Sequence, residues 1–214
     1  MQNSDYMSET LESNELTVEA APEWLVTEMP HGYQNRVAEI QRLSGEMRAM
    51  DRIGRLLWAI GPPLAEAVRE VFTALKLEIE PTARAAPYHI AVRLDARRRL
   101  LLTVSQVDVT IEKKSREIGQ LLQTVQEVAG DGDRVILAAN THRSVQPADR
   151  PESTILTPDA LNLVSRMGAN VVTTTTLFRI WNLSLQDQER ARAHVEKLYE
   201  QDGGVFSALI VAGF

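Results

Sequence analysis

Residues 87–122 decide the fold, and their sequence is PYHIAVRLDARRRLLLTVSQVDVTIEKKSREIGQLL. An apolar side chain at every second position predicts a strand, and this alternation involves Ile90, Val92 and Leu94. Residues 95–99 predict a turn, and residues 100–104 form a second β-rich run. Apolar residues three or four positions apart then predict a helix, and they are Ile118, Leu121, Leu122 and Val125. The stretch therefore predicts a β-hairpin followed by a helix.

The segments on either side of this stretch complete an α/β fold. Two helices precede it, and Gly61 with two prolines ends the first of them. Residues 77–80 and 170–173 predict short strands, and residues 134–139 (RVILAA) predict a strand buried on both faces. The predicted order is α-α-β-β-β-α-β-α-β-α-α, with an edge strand in residues 205–214. A hairpin followed by helix-linked strands implies a mixed sheet with helices on both faces.

Local signals set the boundaries of these elements. The last three helices have candidate N-caps, which are Thr157 before Pro158, Thr174 or Thr175, and Ser184 with Asp187. We expect four parts in the chain: an acidic disordered tail (1–34), a helical arm (35–60), an α/β core (61–185), and a C-terminal helix with a short apolar tail (186–214).

Composition limits the classes of function. Of the 29 acids in the 214 residues, seven lie in residues 1–35, which hold no Lys or Arg. The other 22 acids almost balance the 23 bases, so neither part has the strongly basic character typical of nucleic-acid binders. The absence of cysteine excludes disulfides and thiolate metal sites. No apolar run approaches the length of a membrane helix and no signal peptide is visible, so we expect a cytoplasmic protein without membrane contact.

The helical arm carries an apolar seam. Its members follow one another at steps of three and four residues, and the candidates for self-association are Ile40, Leu43, Met47, Met50 and Leu57. The seam either pairs with another chain as a short coiled coil or folds back on its own domain. A protein partner or a second copy of this chain, bound through residues 35–60, is the expected consequence of the first alternative.

Several local phrases occur in the order of a known superfamily. They are GPPLAEAV from Gly61, QLL from Gln120, RVILAAN ending at Asn140, Pro147 with Arg150, LTPDAL from Leu156, and residues 173–178. In this order, across residues 53–185, the chain resembles the PD-(D/E)xK nuclease-like (restriction-endonuclease-like) superfamily. The resemblance implies a restriction-endonuclease-like mixed sheet flanked by helices, preceded here by the coiled-coil-like arm.

The resemblance also implies where a catalytic site would lie. Active members hold Mg²⁺ with an Asp on the second core strand and a Glu-x-Lys on the third, because carboxylates are hard oxygen ligands. Here these positions fall on His89 and on Thr103 and Ser105, so the catalytic carboxylates are missing. The fallback acids are Glu66, Asp95 and Asp108. We therefore expect no metal or other cofactor, with Mg²⁺ needed only if a relocated nuclease site exists.

Two basic clusters are candidate nucleic-acid contacts. One is at the hairpin (Arg93, Arg97, Arg98, Arg99), and the other opens the following helix (Lys113, Lys114, Arg116). The fold could bring them together as a phosphate-binding patch, or they could be ordinary solvated charges.

Three classes of function follow from these observations. The first is a catalytically inactive nuclease-like domain that acts as a protein interaction or assembly module. The second is a nucleic-acid-binding domain that does not cleave. The third is a metal-dependent nuclease with a relocated site. The neutral core favours the first class over the second, and the missing carboxylates place the third last.

Overall fold

The computed structural model describes residues 28–105, 107–151 and 155–207. The chain divides into two compact units, Met1–Met47 and Arg48–Phe214. The predicted acidic tail lies outside the described residues as far as residue 27, and so do residues 208–214 of the predicted C-terminal tail. Among the residues that are described, no helix is long and apolar enough to cross a membrane.

Six α-helices are present in the described ranges. They are α1 (Tyr33–Gly54), α2 (Gly61–Ala74), α3 (Arg116–Glu127), α4 (Pro158–Arg166), α5 (Thr174–Ser184) and α6 (Gln188–Glu200). A single 3-10 turn, Arg55–Leu57, follows α1. Leu57 therefore lies outside the α-helical part of the predicted arm and is half-buried, unlike the other members of the seam.

The sheet of the second unit has six strands in chain order. They are β1 (Glu78–Glu80), β2 (Ile90–Arg93), β3 (Arg99–Val104), β4 (Asp133–Ala139), β5 (Asn170–Thr173) and β6 (Gly204–Phe206). The pairs β1–β2 and β2–β3 are antiparallel, whereas β3 to β6 are parallel to one another. The predicted mixed sheet, the hairpin and the order of elements are confirmed, and the predicted edge strand is the short β6.

Helices cover both faces of this sheet. Successive side chains of a strand point to opposite faces, so each strand contributes to the packing on both sides. In β4, Ile136 and Ala138 pack into one core with residues of α2, α5 and α6. Val135, Leu137 and Ala139 pack into a second core with residues of α3 and α4. Strands β3 to β6 are parallel and adjacent in chain order. Helices α3 and α4 cover one face, whereas α5 and α6 cover the other, so the crossover from β5 to β6 has the opposite hand to the two crossovers before it. One of these two hands is the left-handed one, which is rare.

The helix caps differ in detail from the sequence-based expectation. Thr157 caps α4 as predicted, because its side chain accepts the Ala160 N–H. Thr173, rather than Thr174 or Thr175, caps α5. Asp187 alone caps α6, since the Ser184 hydroxyl donates instead to the carbonyl oxygen of Trp181 (2.6 Å).

Candidate functional site

The three positions that the resemblance aligns with the nuclease Asp, Glu and Lys, which are His89, Thr103 and Ser105, lie together at the carboxyl end of β3. Ile90 pairs with Leu102 in the β2–β3 register, so His89, one residue earlier, lies beside Thr103. The His89 N–H donates to the Leu102 carbonyl oxygen (2.8 Å), and His89 Nδ1 accepts the Val104 N–H (3.0 Å). The imidazole thus extends the strand pairing by one residue.

The environment of His89 favours its neutral form. Burial lowers the pKa of His89, the charges of Arg116 and Arg69 lower it further, and Glu117 opposes them. Arg69, on α2, also donates to the His89 carbonyl oxygen (2.9 Å). Since its Nδ1 already accepts a backbone N–H, a neutral His89 carries its own proton on Nε2.

The two hydroxyl positions are closed to solvent. Thr103 and Ser105 are both fully buried. The Ser105 hydroxyl donates to the Val107 carbonyl oxygen (3.0 Å), and the Thr103 hydroxyl has no hydrogen-bond partner among the described residues. Threonine and serine hydroxyls are poor ligands for a divalent cation. Both side chains are closed to solvent and pack within the sheet.

The fallback acids are dispersed and each is paired with an arginine. Glu66 is exposed and forms an ion pair with Arg69 (3.2 Å). Asp95 lies in the β2–β3 turn, where the N–H groups of Arg97 and Arg98 and the Arg98 side chain hold its pKa below the usual value. Asp95 is at the amino end of β3, whereas Asp108 lies beyond its carboxyl end. In the described part of the chain, no group of three His, Asp or Glu residues is placed to hold a metal ion.

Asp108 holds the loop after β4. It accepts the Arg143 N–H (2.8 Å) and the Arg143 Nε–H (3.0 Å). Asp108 is therefore part of the connection between the segment after β3 and the loop after β4.

The hairpin arginines are occupied by ion pairs. Arg93 pairs with Glu80 (2.5 Å) and Arg98 with Glu196 (2.6 Å). Arg99 donates two hydrogen bonds to Asp133, both of 2.8 Å. Of the four hairpin arginines, Arg97 is exposed, and its side chain makes no hydrogen bond or ion pair with the described residues. These contacts fasten the hairpin to β1, β4 and α6, and a phosphate would compete with a carboxylate for three of the four side chains.

The second basic cluster lies at the other end of the sheet. Lys113, Lys114 and Arg116 are exposed at the start of α3, after the carboxyl end of β3. The hairpin is at the amino end of β3, and six residues of strand span about 17 Å. The two basic clusters therefore lie at opposite ends of β3, and nucleic-acid contact by either of them stays a prediction.

The exposed seam is confined to α1. The side chains of Ile40 (64% exposed), Leu43 (44%) and Met47 (65%) lie in the first unit, and Met50 (48%) continues the spacing along the helix. Glu39 and Glu46 flank these residues, and both form ion pairs with Arg42. We call Ile40, Leu43, Met47 and Met50 the apolar stripe.

An open groove lies near the carboxyl end of β4 and was not predicted. It is lined by Arg55, Trp58, Ala59, Ile60, Pro63 and Arg143 and encloses about 470 Å³. The Trp58 side chain is 60% exposed. Asn140 Nδ2 donates to the Ala59 carbonyl oxygen (2.7 Å) and Arg143 Nη1 to that of Trp58 (3.3 Å), which holds the segment in place. The sequence signal that could have indicated this groove is Trp58, which follows Arg55 by three positions.

Glu117 and Arg150 are two further residues whose positions the sequence did not reveal. Glu117 is only 2% exposed on α3, near His89. Arg150 donates to backbone carbonyl oxygens of three separate residues, and its role depends on folding rather than on a local pattern.

No family model, curated protein or solved structure matches the chain.

Proposed function

We propose that this chain is a nuclease-like domain that does not cleave and that assembles through the apolar stripe of α1. The resemblance in sequence and the strand arrangement support the first half of this proposal. Three strands in an antiparallel meander, followed by helix-linked parallel strands, are compatible with the restriction-endonuclease-like core that the resemblance implies. Under the resemblance, His89 and Thr103 stand in place of the two carboxylates and the buried Ser105 in place of the lysine, which supports the lack of cleavage.

The observation that carries the proposal is the exposure of the apolar stripe. Spacing of three, four and three residues places the four side chains at alternating a and d positions of a heptad. Exposed apolar side chains arranged contiguously on one helix face are typical of an interaction surface. The chain's other large apolar residues in the regular elements are mostly buried in the two cores, which makes the stripe distinctive among the described residues.

We take the partner to be a second copy of this chain. A heptad stripe is self-complementary, since two identical helices can place a and d side chains against each other. The flanking acids do not prevent this pairing, because Arg42 forms ion pairs with both Glu39 and Glu46. A partially neutralised flank reduces the like-charge repulsion between two copies.

The expected affinity is modest. Burying the exposed part of one such side chain contributes about 1–1.5 kcal/mol, which gives roughly 8–12 kcal/mol for the eight side chains of two copies. Association costs about 4 kcal/mol in lost translational and rotational freedom when the low end of the range is taken. The remaining roughly 4–8 kcal/mol corresponds to a Kd between about 1 mM and 1 µM.

Sedimentation analysis over that concentration range tests the proposal. The wild-type mass should rise from monomer to dimer, and Ile40→Lys with Met47→Lys should keep it monomeric, because both residues are highly exposed in the single chain. The matched control is Gln34→Lys with Gln41→Lys, which adds the same charge to exposed positions off the stripe. A wild-type mass that stays monomeric up to about 1 mM, or equal dimerisation of both double variants, would refute self-association through the stripe.

A second function has one observation in its favour. Exposed Trp58, with Arg55 in the same groove, combines a stacking surface with a cationic group, which is the chemistry of single-strand nucleic-acid binding. Binding of single-stranded DNA that weakens with salt and is lost in Trp58→Ala would favour this function. Unchanged affinity in Trp58→Ala would remove the groove from consideration.

A further inference from the structure

The charges along α1 are unevenly distributed. Residues 1–35, which extend into the first turn of the helix, hold seven acids and no Lys or Arg. At the other end and just beyond it, Arg48 and Arg55 are exposed and have no ion-pair partner among the described residues, whereas Arg52 pairs with Glu70 (2.8 Å). The two ends of α1 therefore carry charge of opposite sign.

Two copies can pair their apolar stripes in two orientations. In a parallel pair the acidic ends meet each other and the cationic ends meet each other. In an antiparallel pair the acidic end of each helix meets the cationic end of the other, and complementary charge across an interface fixes its orientation. The helix macrodipoles, which are positive at the N-terminus and negative at the C-terminus, also attract one another only in the antiparallel pair.

The residues that flank the stripe favour the same orientation. Heptad positions e and g lie beside the a and d seam and set its orientation, and with Ile40 at position a, Glu46 is at g and Asp51 at e. In a parallel pair, Glu46 of each copy meets Asp51 of the other, so like charges meet twice. In an antiparallel pair, Glu46 meets only the other Glu46, and Arg42 of its own copy already forms an ion pair with it.

The whole stripe overlaps in a single antiparallel register. Two-fold symmetry then places Ile40 opposite Met50 and Leu43 opposite Met47. A shift by one heptad in either direction leaves two stripe side chains of each copy without a counterpart. The full overlap covers the most apolar surface, so we expect this register.

This register brings an exposed aromatic side chain to the groove beside Trp58. Tyr33 is the first residue of α1, is 39% exposed, and continues the heptad spacing before Ile40. Its counterpart in the other copy is Leu57, and the next residue, Trp58, is 60% exposed. The groove encloses about 470 Å³, which is room for an aromatic side chain. Tyrosine and tryptophan rings pack favourably against each other.

We infer that two copies of the chain pair with their α1 helices antiparallel, and that Tyr33 of each copy packs beside Trp58 of the other. This inference rests on the proposed assembly through the apolar stripe, to which it adds an orientation and a second contact. The groove is then part of the interface, so a single-stranded nucleic acid and the second copy compete for Trp58.

Disulfide formation between single-cysteine variants tests the orientation, because the chain has no cysteine of its own. Ile40→Cys and Met50→Cys chains are mixed in equal amounts in a glutathione buffer at about 1 mM, the weak limit of the expected Kd. Mass spectrometry then separates the mixed disulfide from the two homodisulfides. Sedimentation of each reduced variant shows whether it still forms the dimer.

The geometry of the two orientations predicts opposite products. A disulfide needs Cα atoms within about 7 Å, and ten positions of an α-helix span about 15 Å. Antiparallel pairing brings the two different cysteines together, and we expect the mixed disulfide to exceed the homodisulfides by about fivefold or more. Parallel pairing brings identical cysteines together and gives the homodisulfides, whereas random collision gives the statistical distribution.

The same assay tests the contact at the groove. Tyr33→Cys mixed with Trp58→Cys should also give mainly the mixed disulfide, since both positions are exposed in the single chain. The matched control is Gln34→Cys mixed with Gln41→Cys, which are exposed positions off the stripe. This control should give the statistical distribution.

The outcomes separate a failure of this inference from a failure of the proposed function. Monomeric chains with statistical disulfides in every mixture would refute both. A dimer in which Ile40→Cys and Met50→Cys give mainly homodisulfides would overturn the antiparallel orientation and leave the assembly intact. A dominant mixed disulfide for that pair, with a statistical result for Tyr33→Cys and Trp58→Cys, would overturn the contact at the groove alone.

Discussion

Replacing Arg99 with Met should destabilise the chain, because it leaves a buried carboxylate without its cation. Arg99 donates two hydrogen bonds of 2.8 Å to Asp133 and one of 3.2 Å to Glu80. The Asp133 side chain is 4% exposed, whereas that of Arg99 is 38% exposed. Burial raises the pKa of Asp133, but the hydrogen bonds from Arg99 and from the Gly130 N–H, together with the Arg99 charge, outweigh it, and the pKa is lowered. The pair therefore fastens the hairpin to β4.

The size of the effect lies between two limits. Removing one partner of a fully buried pair costs about 3–5 kcal/mol, and an exposed pair contributes about 0–1 kcal/mol. Because Arg99 is partly exposed and Asp133 keeps the Gly130 N–H (2.9 Å), we expect a loss of about 2 kcal/mol. Adding Asp133→Asn to the variant removes the unpaired charge and should recover about 1 kcal/mol.

Urea unfolding followed by circular dichroism measures this loss. With a slope of about 2 kcal/mol per M urea, Arg99→Met should lower the midpoint by about 1 M. Arg97→Met is the matched control, since the exposed Arg97 side chain has no partner among the described residues, and its effect should stay within about 0.5 kcal/mol. Equal stability of the two variants would show that Arg99 is solvated, and the hairpin would return as a candidate phosphate surface.

Three further predictions concern the turn before β4, cleavage and pH. Gly132→Ala should destabilise the chain by more than about 2 kcal/mol in the same assay, because a Cβ there would lie 1.8 Å from the Arg97 carbonyl oxygen, and an unchanged midpoint would contradict this close approach. DNA and RNA incubated with Mg²⁺ or Mn²⁺ should remain intact with wild type and Glu66→Ala alike, whereas metal-dependent cleavage by the wild type alone would establish a relocated site. Burial lowers the pKa of His89 and His194 below the usual value of about 6.5. As the pH falls, the unfolded chain therefore binds protons at these residues before the folded chain does. The free energy of unfolding should be fully retained above pH 6.5 and fall below it, and a variant with His89→Asn and His194→Gln should lose less stability between about pH 6.5 and 5.

Much of the fold was accessible to sequence analysis because its signals are local. Alternation at Ile90, Val92 and Leu94 marks β2, and the run from Val135 to Ala139 marks a strand covered on both faces. Helix ends depend on finer geometry. Thr173, Thr174 and Thr175 are equivalent as sequence, and only the folded backbone selects the first as the cap.

The candidate sites were less accessible because their contacts join distant residues. Arg98 meets Glu196 across 98 positions, and Arg99 meets Asp133 across 34. Whether the two basic clusters meet could not be decided from the sequence, because the length of β3 between them follows only from the fold. The pairing of His89 with Thr103 depends on the β2–β3 register, which the sequence analysis did not predict.

Hydrogen exchange of α1 at low and high protein concentration tests the central claim most directly. Its apolar stripe is exposed in the single chain, so pairing should protect the backbone amides of the helix. We predict slower exchange across α1 at concentrations near 1 mM than near 1 µM, the limits of the expected Kd, and no such difference in Ile40→Lys with Met47→Lys. Exchange in α1 that is independent of concentration in the wild-type chain, or a difference that persists in the variant, would contradict assembly through the stripe.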